Sequence, residues 1–263
     1  MPCGMDAKIL AIANQKGGVG KTTTAVNLGS ALVRRGKKVL LVDLDPHACA
    51  TLHGRIYPED LHISLYDIFL SLDGDWTKIW PRLIRTNVLH GLDLAPGSIR
   101  LADLETDLLQ QRAKGSILAR SLKHILPRYD FIVLDCPPHV GILLVNALVA
   151  ADLLVIPIQT DFLALHGLKL LFDTLNTLNK VLPEPVRYRA VPTMYDMRTK
   201  ACRRVLELMQ EKMGPALFNT IIGVDTRFRE ASAMGCTIFD IDNRSRGALC
   251  YEALAGEVLE LWQ

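Results

Sequence analysis

The feature that most constrains the fold is a glycine-rich turn between a short apolar run and a helix-forming segment. The apolar run covers residues 8–13. The turn and the start of the helix read Asn14-Gln15-Lys16-Gly17-Gly18-Val19-Gly20-Lys21-Thr22-Thr23. Glycines permit positive φ and let backbone N–H groups surround phosphate oxygens, and a helix N-terminus adds partial positive charge. The order of strand, glycine-rich turn and helix is therefore typical of a phosphate site on an α/β sheet.

Two side chains of this turn have the chemistry that a nucleoside triphosphate needs. Lys21 is suited to neutralise the β- and γ-phosphates, and the Thr22 hydroxyl to coordinate Mg²⁺. The usual spacing G-x-x-x-x-G-K-[ST] requires glycine at position 15, where this chain has Gln15, and an extra lysine, Lys16, precedes the glycines. An ordinary surface turn is the alternative, and Gly-Lys-Thr between a strand and a helix disfavours it.

Apolar runs rich in Val, Ile and Leu alternate with segments of helical period along the rest of the chain, a pattern typical of a parallel sheet covered by helices. Strands are predicted at residues 8–13, 38–43, 88–94, 131–135, 153–158, 186–193 and 218–222. Helices are predicted at residues 21–35, 101–112, 115–126, 141–150, 163–181, 199–213 and 246–262. We therefore expect one doubly wound, mostly parallel α/β domain over residues 1–263, with a short leader at 1–6 and no separate helix-turn-helix domain.

Composition excludes several classes of protein. The net charge is only +2, so no global field attracts the chain to nucleic acid or to a membrane. The six cysteines form no C-x-x-C pair, which favours reduced thiols in a cytoplasmic protein over a zinc site or a disulfide framework. The longest apolar stretch, residues 140–158, contains Asn146, Asp152 and Pro157, and we interpret it as a buried helix followed by an interior strand.

The glycine-rich turn resembles the deviant Walker A motif K-G-G-x-G-K-T of the ParA/MinD ATPases, and the resemblance covers most of residues 8–260. Residues 42–46 are similar to the family's second motif and residues 134–138 to the end of its Walker B strand. Residues 146–159 are similar to a further family block, and Met194-Tyr195-Asp196 with Arg198-Thr199 resembles the ParA/Soj partition branch in particular. The resemblance implies a P-loop NTPase fold with helices on both faces of the sheet, and Mg²⁺-dependent hydrolysis of ATP.

The resemblance also implies roles for individual residues. It implies that Lys16, Lys21 and Asp45 are catalytic. Lys16 would reach across an ATP-dependent homodimer to the partner's phosphates, and Asp45 would position the attacking water. Mg²⁺ would be held by Thr22, Asp45 and Asp135. The residues implied to bind the nucleotide are Lys16, Gly17, Gly18, Val19, Gly20, Lys21, Thr22 and Thr23.

Three neighbours of these residues have less definite roles. Asp43 lies within the strand pattern, and a structural carboxylate bonded to the loop is as consistent with the sequence as a functional one. The segment after Asp45 reads Pro46-His47-Ala48-Cys49 where the family more often has Pro-Gln-Gly-Asn, and the identity of His47 alone does not make it a catalytic base. Cys136 is expected to pack as a small buried residue.

A local basic segment is hidden by the near-zero net charge. Residues 187–204 contain six basic residues and one acidic residue, Asp196. On a helix from Thr199, the cations would share one face and could meet DNA phosphates, or they could be solvated beside Glu207 and Glu211. The resemblance implies nonspecific DNA binding here. The positions that match best are Arg198 and Arg227, with Lys200, Arg203, Arg204 and Arg229 as additions.

The leading hypothesis is an ATPase switch whose ATP-bound homodimer binds nucleoid DNA in the bacterial cytoplasm and positions a plasmid, a chromosome origin or other cargo. A ParB-like or other cargo adaptor would stimulate hydrolysis. A MinD-like membrane switch is one alternative, but residues 251–263 carry three glutamates and no lysine or arginine, unlike a basic amphipathic membrane helix. An ATP-dependent iron–sulfur reductase is another alternative. It is disfavoured because a cluster that bridges two subunits needs more than the one cysteine, Cys136, that lies beside Asp135.

Overall fold

A seven-stranded sheet organises the computed structural model, which describes residues 7–71, 75–163 and 168–262. The predicted leader lies outside these residues. The strands are β1 (Lys8–Ile12), β2 (Val39–Asp43), β3 (Arg85–Leu89), β4 (Leu92–Ala95), β5 (Phe131–Asp135), β6 (Leu153–Gln159) and β7 (Tyr188–Thr193). Their order is β3-β4-β2-β5-β1-β6-β7, and every neighbouring pair is parallel except β3 and β4. The predicted doubly wound, mostly parallel sheet is confirmed.

Helices cover both faces of this sheet. In the described residues they are α1 (Lys21–Arg34), α2 (Cys49–His53), α3 (Leu65–Leu70), α4 (Trp76–Leu83), α5 (Leu104–Asp107), α6 (Ile117–Leu122), α7 (Ile142–Ala150), α8 (Lys169–Leu178), α9 (Lys200–Met213), α10 (Arg227–Met234), α11 (Ile238–Asp242) and α12 (Arg246–Glu260). Short 3₁₀ turns lie at Pro58–Asp60, Ile99–Asp103, Lys114–Ser116, Leu126–Arg128 and Gly214–Ala216. Between β2 and β3, the described residues 55–84 therefore form only short helices and loops.

Alternation along the central strands divides the core into two layers. In β1, Ile9 and Ala11 belong to one hydrophobic cluster, whereas Leu10 and Ile12 belong to the other. The first cluster includes apolar side chains of α3, α4, α6, α7 and α8, and the second includes those of α1 and α12. β2 and β5 are buried along their whole length, which explains why their sequences are continuous apolar runs.

Two predicted strands have a different structure. The apolar run at 88–94 is an antiparallel hairpin of β3 and β4, which turns at His90 and at Gly91, where φ is +90°. Residues 218–222 form no strand, although Phe218 and Ile222 each donate a 2.8 Å backbone hydrogen bond to β7. Between them, the Glu257 carboxylate accepts the backbone N–H groups of Asn219 at 2.8 Å and Thr220 at 2.7 Å. These N–H groups are thereby withdrawn from a strand ladder.

Several predicted helices are shorter than expected. The segment at 101–112 contains only a 3₁₀ turn and α5, and the segment at 115–126 contains α6. Of the helix predicted at 163–181, α8 is the described part, and residues 164–167 lie outside the description.

The long apolar stretch at 140–158 is a buried helix and a strand, as predicted. α7 ends at Ala150 and β6 begins at Leu153. Between them, the Asp152 carboxylate accepts a 2.7 Å hydrogen bond from the backbone N–H of Ile9, which fixes the join to β1. Asn146 is fully hydrogen-bonded within α7 and to the 114–118 segment, so its place in the family block is structural. Among the described helices, none is both long and apolar enough to cross a membrane.

Candidate functional site

The glycine-rich turn follows β1 at the carboxyl edge of the sheet and leads directly into α1. Gly18 and Gly20 have φ angles of +74° and +90°, in the left-handed region that side chains rarely adopt. A Cβ added at Gly17, Gly18 or Gly20 would meet no atom within 4 Å, so open space lies in front of the turn. The backbone has the conformation and the free volume of an anion cradle at a helix N-terminus.

The turn is anchored by the ends of two neighbouring strands. The Asn14 amide donates to the Pro157 carbonyl at 2.7 Å, and its oxygen accepts from the backbone N–H of Lys16 at 3.0 Å. On the other side, the Thr193 hydroxyl donates to the Val19 carbonyl at 2.9 Å. The cradle is therefore held in shape by β6 and β7 before any ligand arrives.

Lys21 provides a buried cation beneath this cradle. Burial lowers its pKa, and the nearby Asp135 and Asp45 carboxylates oppose that shift. Its hydrogen bond to the Lys16 carbonyl is long, at 3.4 Å. Within the described part of the chain, no carboxylate lies within ion-pair distance of the ammonium, so Lys21 retains hydrogen-bonding capacity for a phosphate.

Asp135 is a fully buried carboxylate at the end of β5, and among the described residues neither of its oxygens has a hydrogen-bond partner. Burial raises its pKa well above the ordinary value, and the neighbouring Asp43 raises it further. Thr22 and Lys21 oppose the shift, although no hydrogen bond of normal geometry reaches the carboxylate. An unpartnered carboxylate beside a threonine hydroxyl and a lysine fits a hard divalent cation that takes oxygen ligands.

Asp43 occupies the equivalent position at the end of β2, but its oxygens are already used. Thr51 donates to Oδ2 from its backbone N–H at 2.7 Å and from its hydroxyl at 2.6 Å, and the backbone N–H of Asp45 donates to Oδ1 at 3.2 Å. Burial raises the pKa of Asp43 to about 6. Of the two roles that the sequence left open, the structural one matches this geometry.

Asp45 lies at the mouth of the cradle with its side chain 10% exposed. One oxygen, Oδ1, accepts from the backbone N–H of His47 at 3.0 Å and lies 2.9 Å from the His47 Nδ1. Asp45 lines a cavity of about 360 Å³ together with glycines 17, 18 and 20 and with Lys21, Thr22 and Thr23. The structure thus brings the predicted phosphate turn and the predicted water-positioning carboxylate to one cavity.

A second cavity, of about 480 Å³, continues from the first. Its far wall is the segment 222–229, which includes the start of α10, with Gln159 and Tyr251, and Arg229 is among its lining residues. The two cavities share Gly20, Thr23, Met194, Phe228 and Ser232. Together they are large enough for a phosphorylated nucleoside, with the phosphates in the first cavity and the nucleoside in the second.

The comparisons with known proteins agree with this geometry. A family model described as an AAA domain matches residues 7–187. The sporulation initiation inhibitor protein Soj of Bacillus subtilis is 41% identical over 252 residues, 95% of this chain and 98% of that protein. The chromosome-partitioning ATPase Soj of Treponema pallidum is 37% identical over 253 residues, 96% and 97% of the two chains. The chain belongs to the ParA/Soj family of ATPases.

Solved structures share the fold of this ParA/Soj-type ATPase along nearly its whole length. A cobyrinic acid a,c-diamide synthase from Mycobacterium smegmatis, with bound ATP analogue and magnesium, has a TM-score of 0.82 at 30% identity and covers 97% of this chain and 96% of its own. A plasmid partition protein from Borrelia burgdorferi bound to AMPPNP has a TM-score of 0.80 at 26% identity, with coverage of 97% and 99%.

Lys16, the additional lysine of the ParA/Soj turn, is not among the residues that line either cavity. Its ammonium lies 3.6 Å from the Asp161 carboxylate, just beyond β6, and its side chain is about one-third exposed. The sequence does not predict this ion pair, because Asp161 is distant from Lys16 in the chain. The two residues are close only because β6 pairs with β1 in the sheet. The structure therefore separates Lys16 from the other predicted phosphate ligands.

The ParA/Soj-type basic segment forms an amphipathic helix, as predicted. Val205, Leu206 and Met209 of α9 are buried, and Lys200, Arg203 and Arg204 are exposed on the other side. Arg204 pairs with Glu207 at 3.1 Å, as the alternative interpretation expected for one cation, and Arg203 donates to the Met197 carbonyl at 2.6 Å.

Of the other three predicted DNA-binding residues, Arg198 lies in the loop before α9, and Arg227 and Arg229 lie in the first turn of α10. Arg198 is 84% exposed and makes a two-point ion pair with Asp196, which lowers the pKa of that carboxyl to about 2. Arg227 lies between Asp225 and Asp242, at 3.5 and 3.4 Å. With Arg229 at the second cavity, the six predicted residues occupy three different environments.

Sequence reasoning missed the residues that enclose the second cavity. Met194, Phe228 and Tyr251 come from distant segments, and apolar side chains at helical or strand spacing resemble ordinary core residues. The backbone of Met194 is unusual, with a φ of +53° beside the cavity, but this conformation can be seen only in the structure.

Proposed function

We propose that this chain is a Mg²⁺-dependent ATPase switch that binds ATP across the two joined cavities. The observation that carries the proposal is the unpartnered, buried Asp135 beside Thr22 and Lys21, beneath an open glycine cradle. The relatives with bound ATP analogue support the same ligand. The segment 222–229 would enclose the nucleoside, and the glycine cradle would hold the phosphates.

The residues around the cradle can account for hydrolysis. Backbone N–H groups of residues 17–20 and the Lys21 ammonium would hold the β- and γ-phosphates, and Thr22 and Asp135 would hold Mg²⁺, with help from Asp45. When bound, Mg²⁺ neutralises the charge that develops on the phosphate oxygens. Asp45 would orient a water in line with the γ-phosphorus. The water oxygen bonds to that phosphorus as its bond to the bridging oxygen breaks, which yields ADP and phosphate.

A pair of variants tests these roles separately. Lys21→Ala is expected to abolish ATP binding in titration calorimetry, because a buried cation at the phosphates is lost. Asp45→Ala is expected to bind ATP and to hydrolyse it at least about a hundredfold more slowly. Lys180→Ala, at an exposed lysine outside both cavities, is the matched control and should behave as wild type. Normal turnover by Asp45→Ala would remove the water-positioning role.

We also propose that ATP assembles a homodimer in which Lys16 reaches the partner's phosphates. The placement of Lys16 outside the cavities of its own chain supports a role across an interface. Asp161→Asn removes the ion pair that holds Lys16 and is expected to increase the dimer fraction with ATP in analytical ultracentrifugation. Lys16→Ala is expected to leave ATP binding intact and to abolish the dimer. A Lys16→Ala protein that dimerises normally would contradict this arrangement.

The dimer is proposed to bind DNA without sequence preference through Arg198, Lys200, Arg203 and Arg204, with Arg227 and Arg229 as further candidates. The exposed basic side of α9 supports this surface, because a dimer would present it twice. Such binding is dominated by released counterions and weakens steeply with salt.

Binding of a nonspecific duplex, measured at several salt concentrations with ATP, ADP or no nucleotide, tests the DNA surface. The double variant Lys200→Ala/Arg203→Ala removes four cations from the dimer and is expected to reduce the slope of log K against log salt by about 4. The double variant Lys78→Ala/Arg82→Ala removes the same charge from exposed residues of α4 and is the control. Equal losses in the two double variants would show a general charge effect and would contradict a specific surface.

We propose that the chain is a single cytoplasmic ATPase domain that positions a plasmid, a chromosome origin or other cargo on the nucleoid. A ParB-like or other adaptor would stimulate its hydrolysis of ATP. The name of the Treponema pallidum relative, a chromosome-partitioning ATPase, supports partition. The MinD-like alternative is disfavoured because the apolar residues Tyr251, Leu254 and Val258 of α12 are buried against the sheet. The reductase alternative is disfavoured because Cys136 is fully buried, which raises the pKa of its thiol well above the ordinary value.

A further inference from the structure

We propose that His47 is a positioning residue for ATP hydrolysis. Its ring and its backbone together fix one oxygen of Asp45, so that the other oxygen is left for the attacking water. The inference rests on the proposed role of Asp45.

The contact between the two residues is made by two donors on one oxygen. The backbone N–H of His47 is 3.0 Å from Asp45 Oδ1, and the ring Nδ1 is 2.9 Å from the same atom. An ionised carboxylate only accepts hydrogen bonds, so the Nδ1 of His47 carries the proton of this contact. Two donors at one oxygen restrict rotation of the carboxylate about its last bond and favour a single orientation of Oδ2.

The backbone holds His47 in this place. The Asp45 carbonyl accepts a 2.8 Å hydrogen bond from the backbone N–H of Ala48, which closes a tight turn around His47. Ala48 has a φ of +50°, in the region that favours glycine. The hydrogen bond from Ala48 keeps the turn closed, and the ring of His47 is thereby directed at Asp45.

The surroundings explain why His47 acts through Asp45. The ring is 71% exposed, whereas the Asp45 side chain is 10% exposed. His47 lines the phosphate cavity and also a neighbouring cavity of about 540 Å³, which His62 and Arg100 line from other segments. The imidazole therefore forms part of the wall between the two cavities. The Nδ1 of His47 bonds Asp45, and under the proposal the ring acts on the reacting water only through this carboxylate.

The test is a steady-state comparison of ATP hydrolysis by His47 variants. His47→Ala is expected to lower kcat by about tenfold, because one donor to a charged oxygen is lost, while KM for ATP stays within about twofold. His47→Asn places an amide N–H close to the position of Nδ1 and is expected to restore most of the rate. His62→Ala changes an exposed histidine of the neighbouring cavity that does not contact Asp45, and it should have no effect.

A double variant separates positioning from a structural role. On the Asp45→Ala background, His47→Ala is expected to cause no further loss, because the group that it orients is absent. A kcat unchanged by His47→Ala, or a loss that His47→Asn does not restore, would overturn the proposal. Failure of Asp45→Ala itself to slow hydrolysis would instead overturn the proposed function, so the two results are distinguishable.

Discussion

The ends of β2 and β5 place two aspartates side by side, yet the chain uses them in opposite ways. Asp43 and Asp135 are direct partners in the parallel ladder, and both are completely buried. Asp43 receives three hydrogen bonds from Thr51 and Asp45, whereas in the described structure Asp135 receives none. Two carboxylates with the same strand position and the same burial thus differ in whether the protein satisfies them.

Under the proposed function, hydrogen-bond satisfaction, more than location, separates the structural acid Asp43 from the proposed metal-binding acid Asp135. A buried carboxylate without partners is costly, and an external cation can compensate that cost. The satisfied neighbour instead ties the strand to the segment that follows it, because Thr51 also accepts from the backbone N–H of Gly97 at 2.9 Å. Variants at the two ends should therefore change different measurements.

The largest effect is expected at the unsatisfied end. Asp135→Asn is expected to reduce Mg²⁺-dependent ATP hydrolysis by at least about a hundredfold, because the amide cannot supply the negative charge that holds the ion. Phosphate release measured against Mg²⁺ concentration checks this. Asp173→Asn, at an exposed carboxylate of α8, serves as the control. Full activity of Asp135→Asn would show that this carboxylate does not serve the metal.

At the satisfied end, stability should change first. Asp43→Ala is expected to lower the free energy of unfolding by about 2–3 kcal/mol, since it leaves buried donors of Thr51 and Asp45 without an acceptor. Urea unfolding with metal and nucleotide absent measures the effect. Should Asp43→Ala leave stability unchanged but abolish the Mg²⁺ dependence of hydrolysis, the assignments of the two carboxylates would have to be exchanged.

A smaller loss of stability is expected from removing the partner of Asp43. Thr51→Val keeps the size of the side chain and its backbone N–H but loses the hydroxyl that bonds Asp43 and Gly97, at an expected cost of about 1–2 kcal/mol. Thr174→Val, at a hydroxyl that bonds only within α8, is the matched control. Equal changes in the two variants would mean that the link to Gly97 adds nothing.

The smallest effect concerns Asp135 without metal. Because burial raises its pKa, the native state holds this proton more tightly than the unfolded chain, and stability falls as pH rises through the native pKa. In EDTA, Asp135→Asn is therefore expected to be about 1–2 kcal/mol more stable than wild type near pH 8, with the difference shrinking toward about pH 4. Urea midpoints across this range measure it, and a difference independent of pH would contradict the prediction.

Local patterns predicted the parts of the molecule that depend on neighbouring residues. The glycine-rich turn, the buried strands and the amphipathic α9 each follow from periodicity or from backbone requirements, and the structure contains all three. The contrast between Asp43 and Asp135 was not predictable, because it depends on how the segment after β2 folds back to bring Thr51 to one carboxylate. The same limit applies to Glu257, whose capture of distant N–H groups replaced a predicted strand.

The site was predictable to a similar depth. Spacing singled out the residues of the phosphate turn and Asp45, which the structure places around one cavity. It did not identify the wall formed by Met194 and Phe228, or the Asp161 partner of Lys16, because these contacts join segments that only the tertiary fold makes adjacent. The basic residues show the same limit, since sequence grouped six cations that the fold distributes among three environments.

The hydrogen bond from Thr193 to Val19 has a consequence for communication within the molecule. Thr193 is the last residue of β7, and the chain runs from it through Met194, at the wall of both cavities, to Arg198 and α9. Under the proposed function, a movement of the phosphate turn on loss of the γ-phosphate would act directly on the segment that leads into the basic helix. One side-chain contact and one short loop connect the phosphate turn to the basic helix α9. A signal between them would not have to cross the core.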